Sequence, residues 1–449
     1  MKIIVAGAGE VGFHLAKLLS FESQDITLID TNRESLLYAD THLDIRVIKG
    51  DATSISVLKD AQVDQTDLLI GVTSSETTNI TVCVLAKQLG AKRTIARISN
   101  TEFIANKDAL NFTQLGIDEL ISPERLAADE INLLLNQSGF NDTYEFEEGA
   151  LTMIGLVLPR TSSFVGKTVR EVGLAFPDFK YVPIAIQRHG TQYTIIPRGD
   201  TQFKEGDQVY FITPKDGVEQ MYTLSGKVRE ELKNIMILGG SKIGYKAATD
   251  LCQNKFKVKL IENNKEKAFE LADDIPSCLV INGDGRNVEL LEEESIDEMD
   301  AFIAVTGNSE TNIMSCLVAR SRGVKKTIAL VENMDYFQLS QSIGIHNLIN
   351  KKLLAANTIF RYVRKGEIVA ITKLNNMNAE LLEFIVTKSS KVCDMKIREI
   401  EFPRSAIIGG VIRNGEGVIA LGDFNILDGD RVVVCCLPQA IRKVEKLFV

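Results

Sequence analysis

Two stretches of the chain decide its fold: residues 2–12, which read KIIVAGAGEVG, and residues 234–244, which read NIMILGGSKIG. Each begins with a short apolar run rich in β-branched residues, which predicts a buried parallel strand. In the first stretch, Gly7, Gly9 and Gly12 follow with the spacing G-x-G-x-x-G and precede the amphipathic segment FHLAKLLS. Strand, glycine turn and helix in this order are typical of a dinucleotide-binding unit.

Each glycine of the first stretch has a separate predicted role. Gly7 makes the tight turn between strand and helix, Gly9 lets the backbone approach a pyrophosphate, and Gly12 lets the helix pack closely on the strand. Phosphates would then lie at the N-terminus of the helix, where unbonded N–H groups and the positive end of the helix dipole point toward them.

Polar side chains follow the strands predicted next. DITLID ends in Asp30, 18 residues after the last glycine, where an acid accepts both ribose hydroxyls of adenosine and repels a 2′-phosphate, so NAD or NADH is favoured over NADP. Asp51 follows the third strand, and Thr73 and Ser74 follow the fourth, at the edge where open α/β sheets bind ligands. Arg97 ends the next strand, where it either reaches a phosphate or forms a surface or interface ion pair.

An internal repeat of about half the chain relates the two stretches. Ile3 matches Ile235 and Asp30 matches Glu262, both at an offset of 232 (235 − 3 and 262 − 30). Further along, IGVTSSETTNI matches IAVTGNSETNI, and LGAKRTIARISN matches RGVKKTIALVEN. Generic βαβ packing does not require the shared VT…TNI segment, so the two halves are predicted to be copies of one unit.

The second copy keeps the pattern with changes. Its candidate ligand residues are Gly239, Gly240, Ser241, Lys242, Ile243, Glu262 and Asp284. Ser241 stands where the first copy has Gly9, which narrows the approach to a pyrophosphate, although a serine hydroxyl is able to donate a hydrogen bond. Leu330 replaces Arg97 and removes a cation, whereas Glu262 retains the ribose acid. These changes predict a modified second site, with weaker binding or a different nucleotide.

The composition excludes several function classes. The net charge is −9, with dispersed Lys and Arg, so neither nucleic acid nor an anionic lipid surface is predicted as a partner. No run of 18 or more apolar residues appears, and the N-terminus enters a strand pattern directly, so neither membrane insertion nor an export signal is predicted. Seven cysteines without a CxxC pair and four scattered histidines predict reduced thiols in a cytosolic protein and no metal site.

The repeat predicts four domains in the order A–B–A′–B′. The A domains are residues 1–135 and 232–363, and the B domains are the β-rich residues 140–224 and 368–449. In the B domains, TVREV and KIREI each predict a short amphipathic helix. At the end of the A domains, ISPERLAADEINLLL and NKKLLAANTIFRYV predict helices that either cross to a partner domain, which we favour, or pack within their own half.

No pattern in the sequence predicts catalysis. The chain has no GxSxG, no HExxH and no P-loop lysine, and the B domains supply neither HxxxK nor a Ser-Tyr-Lys pattern. A dehydrogenase needs a proton donor beside the nicotinamide. We therefore expect a nucleotide that is sensed rather than consumed. The alternatives are an NAD-dependent oxidoreductase and a structural adaptor with a vestigial pocket.

Together, KIIVAGAGEVGFHLAKLL, the acid that ends DITLID, KGDAT and VTSSETTNI resemble the RCK (regulator of potassium conductance) family, and the doubled arrangement extends the resemblance over nearly the whole chain. It implies an α/β fold with two Rossmann-like, doubly wound parallel-sheet domains, each followed by a small α+β RCK C-terminal lobe. The ligand residues that it implies for the first site are Gly7, Gly9, Glu10, Val11, Asp30, Asp51, Thr73, Ser74 and Arg97.

The same resemblance implies a function. The expected protein is a cytoplasmic regulatory subunit, peripheral at the inner face of the cell membrane, that gates a membrane potassium channel subunit of the Trk/Ktr type. It is expected to bind NAD or NADH, with ATP or ADP as alternatives at one or both sites. It is also expected to form a homo-oligomer, a tetrameric ring, and not to be an enzyme.

Overall fold

Strand β1, at the centre of the first A domain, has the neighbours that the glycine motif predicts. In the computed structural model it pairs in parallel with β2 on one side and β4 on the other, within a six-stranded sheet of order β3-β2-β1-β4-β5-β6. The strands are β1 (Lys2–Ala6), β2 (Asp25–Asp30), β3 (Arg46–Lys49), β4 (Leu68–Gly71), β5 (Arg93–Arg97) and β6 (Glu119–Ile121). The helices are α1 (Glu10–Ser20), α2 (Arg33–His42), α3 (Ile55–Asp60), α4 (Glu76–Gln88), α5 (Glu102–Ala105) and α6 (Pro123–Asn136).

The first B domain is an antiparallel sheet of order β10-β9-β11-β8-β7. Its strands are β7 (Asp142–Phe146), β8 (Leu151–Val157), β9 (Val182–Gln187), β10 (Thr194–Ile195) and β11 (Gln208–Pro214), with helices α7 (Val169–Ala175) and α8 (Gly217–Ser225). Helix α7 is the short helix predicted from TVREV. Thr168 caps it by accepting a hydrogen bond from the Glu171 N–H, and Glu171 in turn accepts one from the Thr168 N–H.

The second A domain repeats the first, with the parallel strand order β14-β13-β12-β15-β16-β17. The strands are β12 (Asn234–Leu238), β13 (Lys257–Glu262), β14 (Leu279–Asn282), β15 (Ala301–Ala304), β16 (Lys326–Leu330) and β17 (Asn347–Ile349). The helices are α9 (Lys242–Gln253), α10 (Lys265–Asp274), α11 (Val288–Glu293), α12 (Ser309–Ser321) and α13 (Lys351–Val363).

The second B domain is an antiparallel sheet of order β18-β19-β22-β20-β21. Its elements are β18 (Ile368–Lys373), β19 (Glu380–Ile385), β20 (Ala406–Arg413), β21 (Glu416–Val418), β22 (Arg431–Cys436) and α14 (Ile441–Phe448). The prediction of a helix from KIREI is wrong, because only a single 3₁₀ turn, Ile397–Glu399, forms there. Lys396 occupies the cap position that Thr168 holds in the first copy, and a lysine side chain has no oxygen to accept a helix N–H.

The structure describes the whole chain except residues 21–23, 101, 107–109, 137–139, 141, 189, 192, 227–231, 334–335, 337–339, 341–342, 344, 346, 364–367, 375–376 and 449, and the side chains of 105, 136, 148, 361–363 and 368–373. The chain forms two compact units. One contains residues 1–132 and 233–363, and the other contains residues 133–232 and 364–449. Like domains therefore pair with each other, A with A′ and B with B′.

In the unit made of A domains, the crossing of helices that the sequence predicts is confirmed. Ala355, Ala356 and Ile359 of α13 are buried in the same apolar cluster as Leu15 and Leu19 of α1. The reciprocal helix, α6, also reaches the other A domain, since its Asn132 Nδ2 donates to Asp250 Oδ2 on α9 at 3.2 Å. Helix α13 thus packs on the other A domain, and α6 contacts the other A domain through this hydrogen bond.

In the unit made of B domains, the two sheets share one apolar core. Phe146, Ile212, Leu381 and Val433 belong to a single buried cluster. The guanidinium of Arg198 also donates to the carbonyl oxygen of Ala406 at 3.0 Å. Apolar packing and a polar contact therefore join the two copies of this lobe.

A buried asparagine explains the repeated VT…TNI segment. Asn79, which is 1% exposed, accepts hydrogen bonds from Thr73 N (2.8 Å) and Thr73 Oγ1 (2.7 Å) and donates to the carbonyl oxygens of Thr73 (3.1 Å) and Arg97 (2.9 Å). It therefore fixes the carboxyl ends of β4 and β5 against each other. Asn312 makes the same four contacts, with Thr306 and Leu330, in the second A domain.

Replacing Asn79 with alanine is expected to lower the free energy of unfolding by about 2–4 kcal/mol, because buried backbone groups lose their partners. Thr81→Ala, on the exposed face of the same helix, serves as the control and is expected to change stability by less than about 0.5 kcal/mol. Urea unfolding of both variants measures the difference. Equal stability of the two variants would contradict the role assigned to Asn79.

Candidate functional site

The glycine loop leaves no room for side chains at two of its positions. Gly7 has a φ of +115°, and a Cβ there would lie 2.8 Å from the backbone N of Thr73. A Cβ on Gly12 would lie 1.8 Å from the carbonyl oxygen of Gly7. A Cβ on Gly9, by contrast, would meet nothing within 4 Å, because that position faces open space. The geometry agrees with a turn glycine, a packing glycine and a glycine that faces an approaching ligand.

Asp30 at the end of β2 is held beside this loop by the backbone. Its Oδ2 accepts from the N–H of Ala8 at 2.5 Å, and its Oδ1 accepts from the N–H of Asn32 at 2.7 Å. Each carboxylate oxygen keeps a further lone pair. The carboxylate is therefore oriented and still able to accept hydroxyl groups from a ribose.

A cavity of about 630 Å³, here called the first cavity, lies at the carboxyl edge of the first sheet. It opens where the strand order turns from β2-β1 to β4-β5, which is the switch point at which open α/β sheets bind ligands. Its lining includes the predicted residues Gly7, Gly9, Glu10, Val11, Asp30, Asp51, Thr73, Ser74 and Arg97. Gly12 lies beneath the loop against Gly7 and does not line the cavity.

Other predicted side chains of the lining also have protein partners. The Thr73 hydroxyl donates to Asn79 Oδ1 at 2.7 Å, so this hydroxyl is committed to the loop. Arg97 Nη2 lies 3.7 Å from Glu124 Oε1, so Arg97 lines the cavity and also forms the ion pair that was its alternative role. Asp51 accepts from the N–H and the hydroxyl of Thr53 at 2.8 Å each, and these hydrogen bonds lower the pKa of Asp51.

Among the lining residues of the first cavity that sequence reasoning missed are three charged residues of the other A domain. Glu332, Lys351 and Lys352 line it, although they lie more than 200 residues further along the chain. Burial raises the pKa of Glu332, yet the hydrogen bond and charge of Lys351, with those of Lys352, hold this pKa below its ordinary value. The sequence predicted that α13 crosses to the other A domain, but it did not indicate which side chains of that region would line the cavity.

A second cavity, of about 430 Å³, occupies the equivalent edge of the second sheet. Of the candidate residues, Gly239, Ser241, Glu262 and Asp284 line it, whereas Gly240, Lys242 and Ile243 do not. The Gly240 N–H donates to Glu262 Oε2 at 2.9 Å, Ile243 is buried in the domain, and Lys242 Nζ lies 3.5 Å from the carbonyl oxygen of Ser99 in the first A domain.

The serine of the second loop has a structural task. Ser241 Oγ donates to the carbonyl oxygen of Val305 at 2.7 Å and accepts from the N–H of Gly244 at 3.3 Å, so it caps α9. The ribose acid Glu262 is only 7% exposed. Its two oxygens accept from Gly240 N and Asn264 N, each at 2.9 Å. The acid is thus held as Asp30 is, but in a smaller cavity.

The second cavity has cations that the sequence comparison did not find. Arg286 forms a two-pronged pair with Asp284, with Nη2 2.7 Å from Oδ2, and the hydrogen bonds of its side chain and backbone lower the pKa of Asp284. Lys267 Nζ lies 3.6 Å from Glu262 Oε2. Both cations line the cavity, so the loss of Arg97 at Leu330 does not remove all positive charge from this site.

The described residues contain no group of three His, Cys, Asp or Glu side chains able to hold a metal ion. Within the same part of the chain, every helix is too short or too polar to cross a bilayer.

Comparison with known proteins gives consistent matches over the whole chain. The TrkA-N domain family matches residues 3–123 and 235–351, and the TrkA-C domain family matches residues 153–226 and 381–449. The Trk system potassium uptake protein TrkA of Halomonas elongata is 33% identical, over 100% of this chain and 98% of its own length. A TrkA homolog of Methanosarcina mazei is 32% identical over the full length of both chains.

A solved structure of the GsuK channel bound to NAD shares the fold, with a TM-score of 0.61 and 16% identity over 100% of this chain and 78% of that one. These matches confirm the predicted fold class, in which two Rossmann-like parallel-sheet domains are each followed by a small RCK C-terminal lobe.

Two alanine substitutions in the glycine loop are expected to differ in their effect on stability, because one glycine is needed for packing and the other faces the cavity. Gly12→Ala is expected to destabilise the protein by more than about 2 kcal/mol, because its Cβ clashes with backbone that has no room to move. Gly9→Ala is expected to change the free energy of unfolding by less than about 1 kcal/mol, since its Cβ enters open space. Denaturant titration compares the two, and equal destabilisation would refute the assignment of the loop positions.

Proposed function

Since the chain belongs to the TrkA family, we propose that it is a nucleotide-sensing regulatory subunit that binds NAD or NADH and gates a membrane potassium-uptake subunit of the Trk/Ktr type. The observation that carries this proposal is the first cavity. There a glycine loop, the N-terminus of α1, a backbone-held Asp30 and the cation Arg97 meet at the switch point of a parallel sheet.

The acid at the end of β2 favours a nucleotide with free ribose hydroxyls. Asp30 is oriented by two backbone N–H groups, and a 2′-phosphate beside it would be repelled. ADP and ATP share the adenosine contacts, so they are the alternative ligands at one or both sites. The GsuK structure with NAD supports the dinucleotide through the shared fold.

Sensing rather than catalysis fits the residues that surround the ligand space. The described lining of both cavities contains no His, Cys or Tyr, and its lysines, Lys351, Lys352 and Lys267, each form an ion pair with a carboxylate rather than standing as a separate proton donor. A ligand changes the state of an assembly only if it binds one state more tightly than another. Here the first cavity takes residues from both A domains, so closing around a nucleotide would move one A domain relative to its copy.

The proposed assembly is a ring of several copies, a tetramer, attached to the channel subunit at the cytoplasmic face of the membrane. Within one chain, like domains already pair, A with A′ and B with B′, and further contacts between copies would close the ring, since most homo-oligomers have closed symmetry. The names of the curated relatives, which are potassium uptake proteins, support the partner.

Binding is tested with purified protein and NADH, followed by the fluorescence of the reduced nicotinamide. Asp30→Asn is expected to weaken the tighter of the bound nucleotides by about tenfold or more, because a charge-assisted hydrogen bond to ribose is lost. Glu262→Gln, the same change in the second cavity, is expected to leave that tighter site unaltered. Absence of NADH binding, or an unchanged affinity in Asp30→Asn, would refute the assigned site.

Gating is tested in cells that lack their own subunit of this kind and grow poorly at low external potassium. The chain is expected to restore growth together with its channel subunit, and Asp30→Asn is expected to restore it less, because the nucleotide no longer biases the assembly. Failure of both to restore growth would count against the regulatory function. Steady oxidation of NADH with small carbonyl compounds would instead favour an oxidoreductase.

A further inference from the structure

The first cavity contains two cations that the proposed ligand contacts do not use. Lys351 and Lys352 begin α13 in the second A domain and line the cavity of the first. Lys351 Nζ lies 2.7 Å from Glu332 Oε1, and Lys352 Nζ lies 3.2 Å from Glu332 Oε2. Lys352 also forms an ion pair with Glu10, the first residue of α1.

Lys351 and Lys352 form what is here called the cationic corner, and the backbone around them is fixed by hydrogen bonds. Asn350, which is 4% exposed, accepts from the N–H of Lys352 at 3.0 Å and donates to the carbonyl oxygens of Val331 (2.9 Å) and Glu332 (3.2 Å). Behind it, α13 is held against α1 by the buried Ala355 and its neighbours. The position of Lys352 beside the cavity is therefore set by the fixed backbone of α13.

The pairing between Glu10 and Lys352 is unequal. The Lys352 side chain is 13% exposed, whereas that of Glu10 is 73% exposed. The exposed carboxylate regains its hydration when it leaves the pair, so its departure costs little. Lys351 and Lys352 then share the single carboxylate of Glu332, so one positive charge is uncompensated and is most stable with another anion beside it.

The place of this pair in the loop identifies the other anion. Glu10 follows Gly9 directly, at the N-terminus of α1. Helix N-termini at this point of a Rossmann-like unit bind the diphosphate of a nucleotide. Glu10 thus places a carboxylate next to the position that a phosphate would take.

Among the described residues that line the second cavity, none corresponds to this corner. Lys242 stands at the position of Glu10, Glu124 stands at the position of Lys352, and neither lines the second cavity. The charges at the two positions are exchanged between the copies. A cation supplied by the other A domain is therefore a property of the first cavity among the described residues.

We propose that Lys352 is a phosphate-binding residue of the first cavity, supplied by the second A domain, and that Glu10 occupies it as a stand-in anion until the diphosphate of an adenine nucleotide displaces Glu10. This inference rests on the nucleotide binding proposed above. Ligand binding would exchange the contact of Lys352 with α1 for a contact with the nucleotide, so the second A domain would read the occupancy of the first.

The test compares NADH with adenosine, which has the same ribose and base but no phosphate, by isothermal titration calorimetry. Lys352→Gln is expected to weaken NADH binding at the tighter site by about tenfold and to change adenosine binding by less than about twofold. Lys352→Arg, which keeps the charge, is expected to retain most of the affinity. Lys59→Gln, an exposed lysine outside both cavities, is the control for net charge and is expected to change neither ligand.

Glu10→Gln gives an independent measurement, because the side chain is 73% exposed and the change removes its charge while keeping its size. It is expected to tighten NADH about threefold and leave adenosine unchanged, since the competitor for Lys352 is weakened. Equal loss of NADH and adenosine affinity in Lys352→Gln, or no change of NADH affinity in both variants, would overturn this inference alone. Failure of the unsubstituted protein to bind NADH would overturn the proposed function as well.

Discussion

The close approach of α1 to the sheet is the constraint on which the site depends. Only hydrogen at Gly12 allows the helix backbone to lie against the carbonyl oxygen of Gly7, and only a glycine at Gly7 adopts the turn beside Thr73. This contact fixes the start of α1 at the carboxyl edge of the sheet. Gly239 and Gly244 repeat it in the second copy, where a Cβ on Gly244 would lie 2.0 Å from the carbonyl oxygen of Gly239.

The second A domain has the same backbone fold as the first but a different cavity. Its loop keeps the two sterically required glycines and replaces the third with Ser241, which turns its hydroxyl onto Val305 and the helix N-terminus. The two retained glycines, Gly239 and Gly244, are those at which a Cβ would meet backbone atoms. The position that faces the cavity has changed, and the cavity is smaller, so the difference between the copies is concentrated where a ligand would lie.

The sequence predicted the features that depend on short local patterns of residues. Glycine spacing, strand-end acids and the repeat are sufficient to predict the parallel sheets, the order of the A and B domains and a first cavity lined by Asp30 and Thr73. Local pattern failed where one side chain decides the outcome, as at Lys396, which does not cap a helix. It also failed where a contact depends on packing between distant segments, as for Lys351 and Lys352, because no periodicity records which helix end reaches which cavity.

Helix exchange gives these distant contacts their physical consequence. In a Rossmann-like domain that kept its own last helix, the first cavity would be lined by residues from one copy only. Because α13 crosses, the apolar contacts of Ala355 and Ile359 with α1 and the ionic contacts of Lys352 with Glu10 belong to one interface. A ligand that changes the ionic part of that interface alters the relative stability of arrangements of the two A domains, while the apolar part keeps them together. Because α13 is buried against the first A domain, replacing Glu10 with a phosphate beside Lys352 would change the contact between the two A domains.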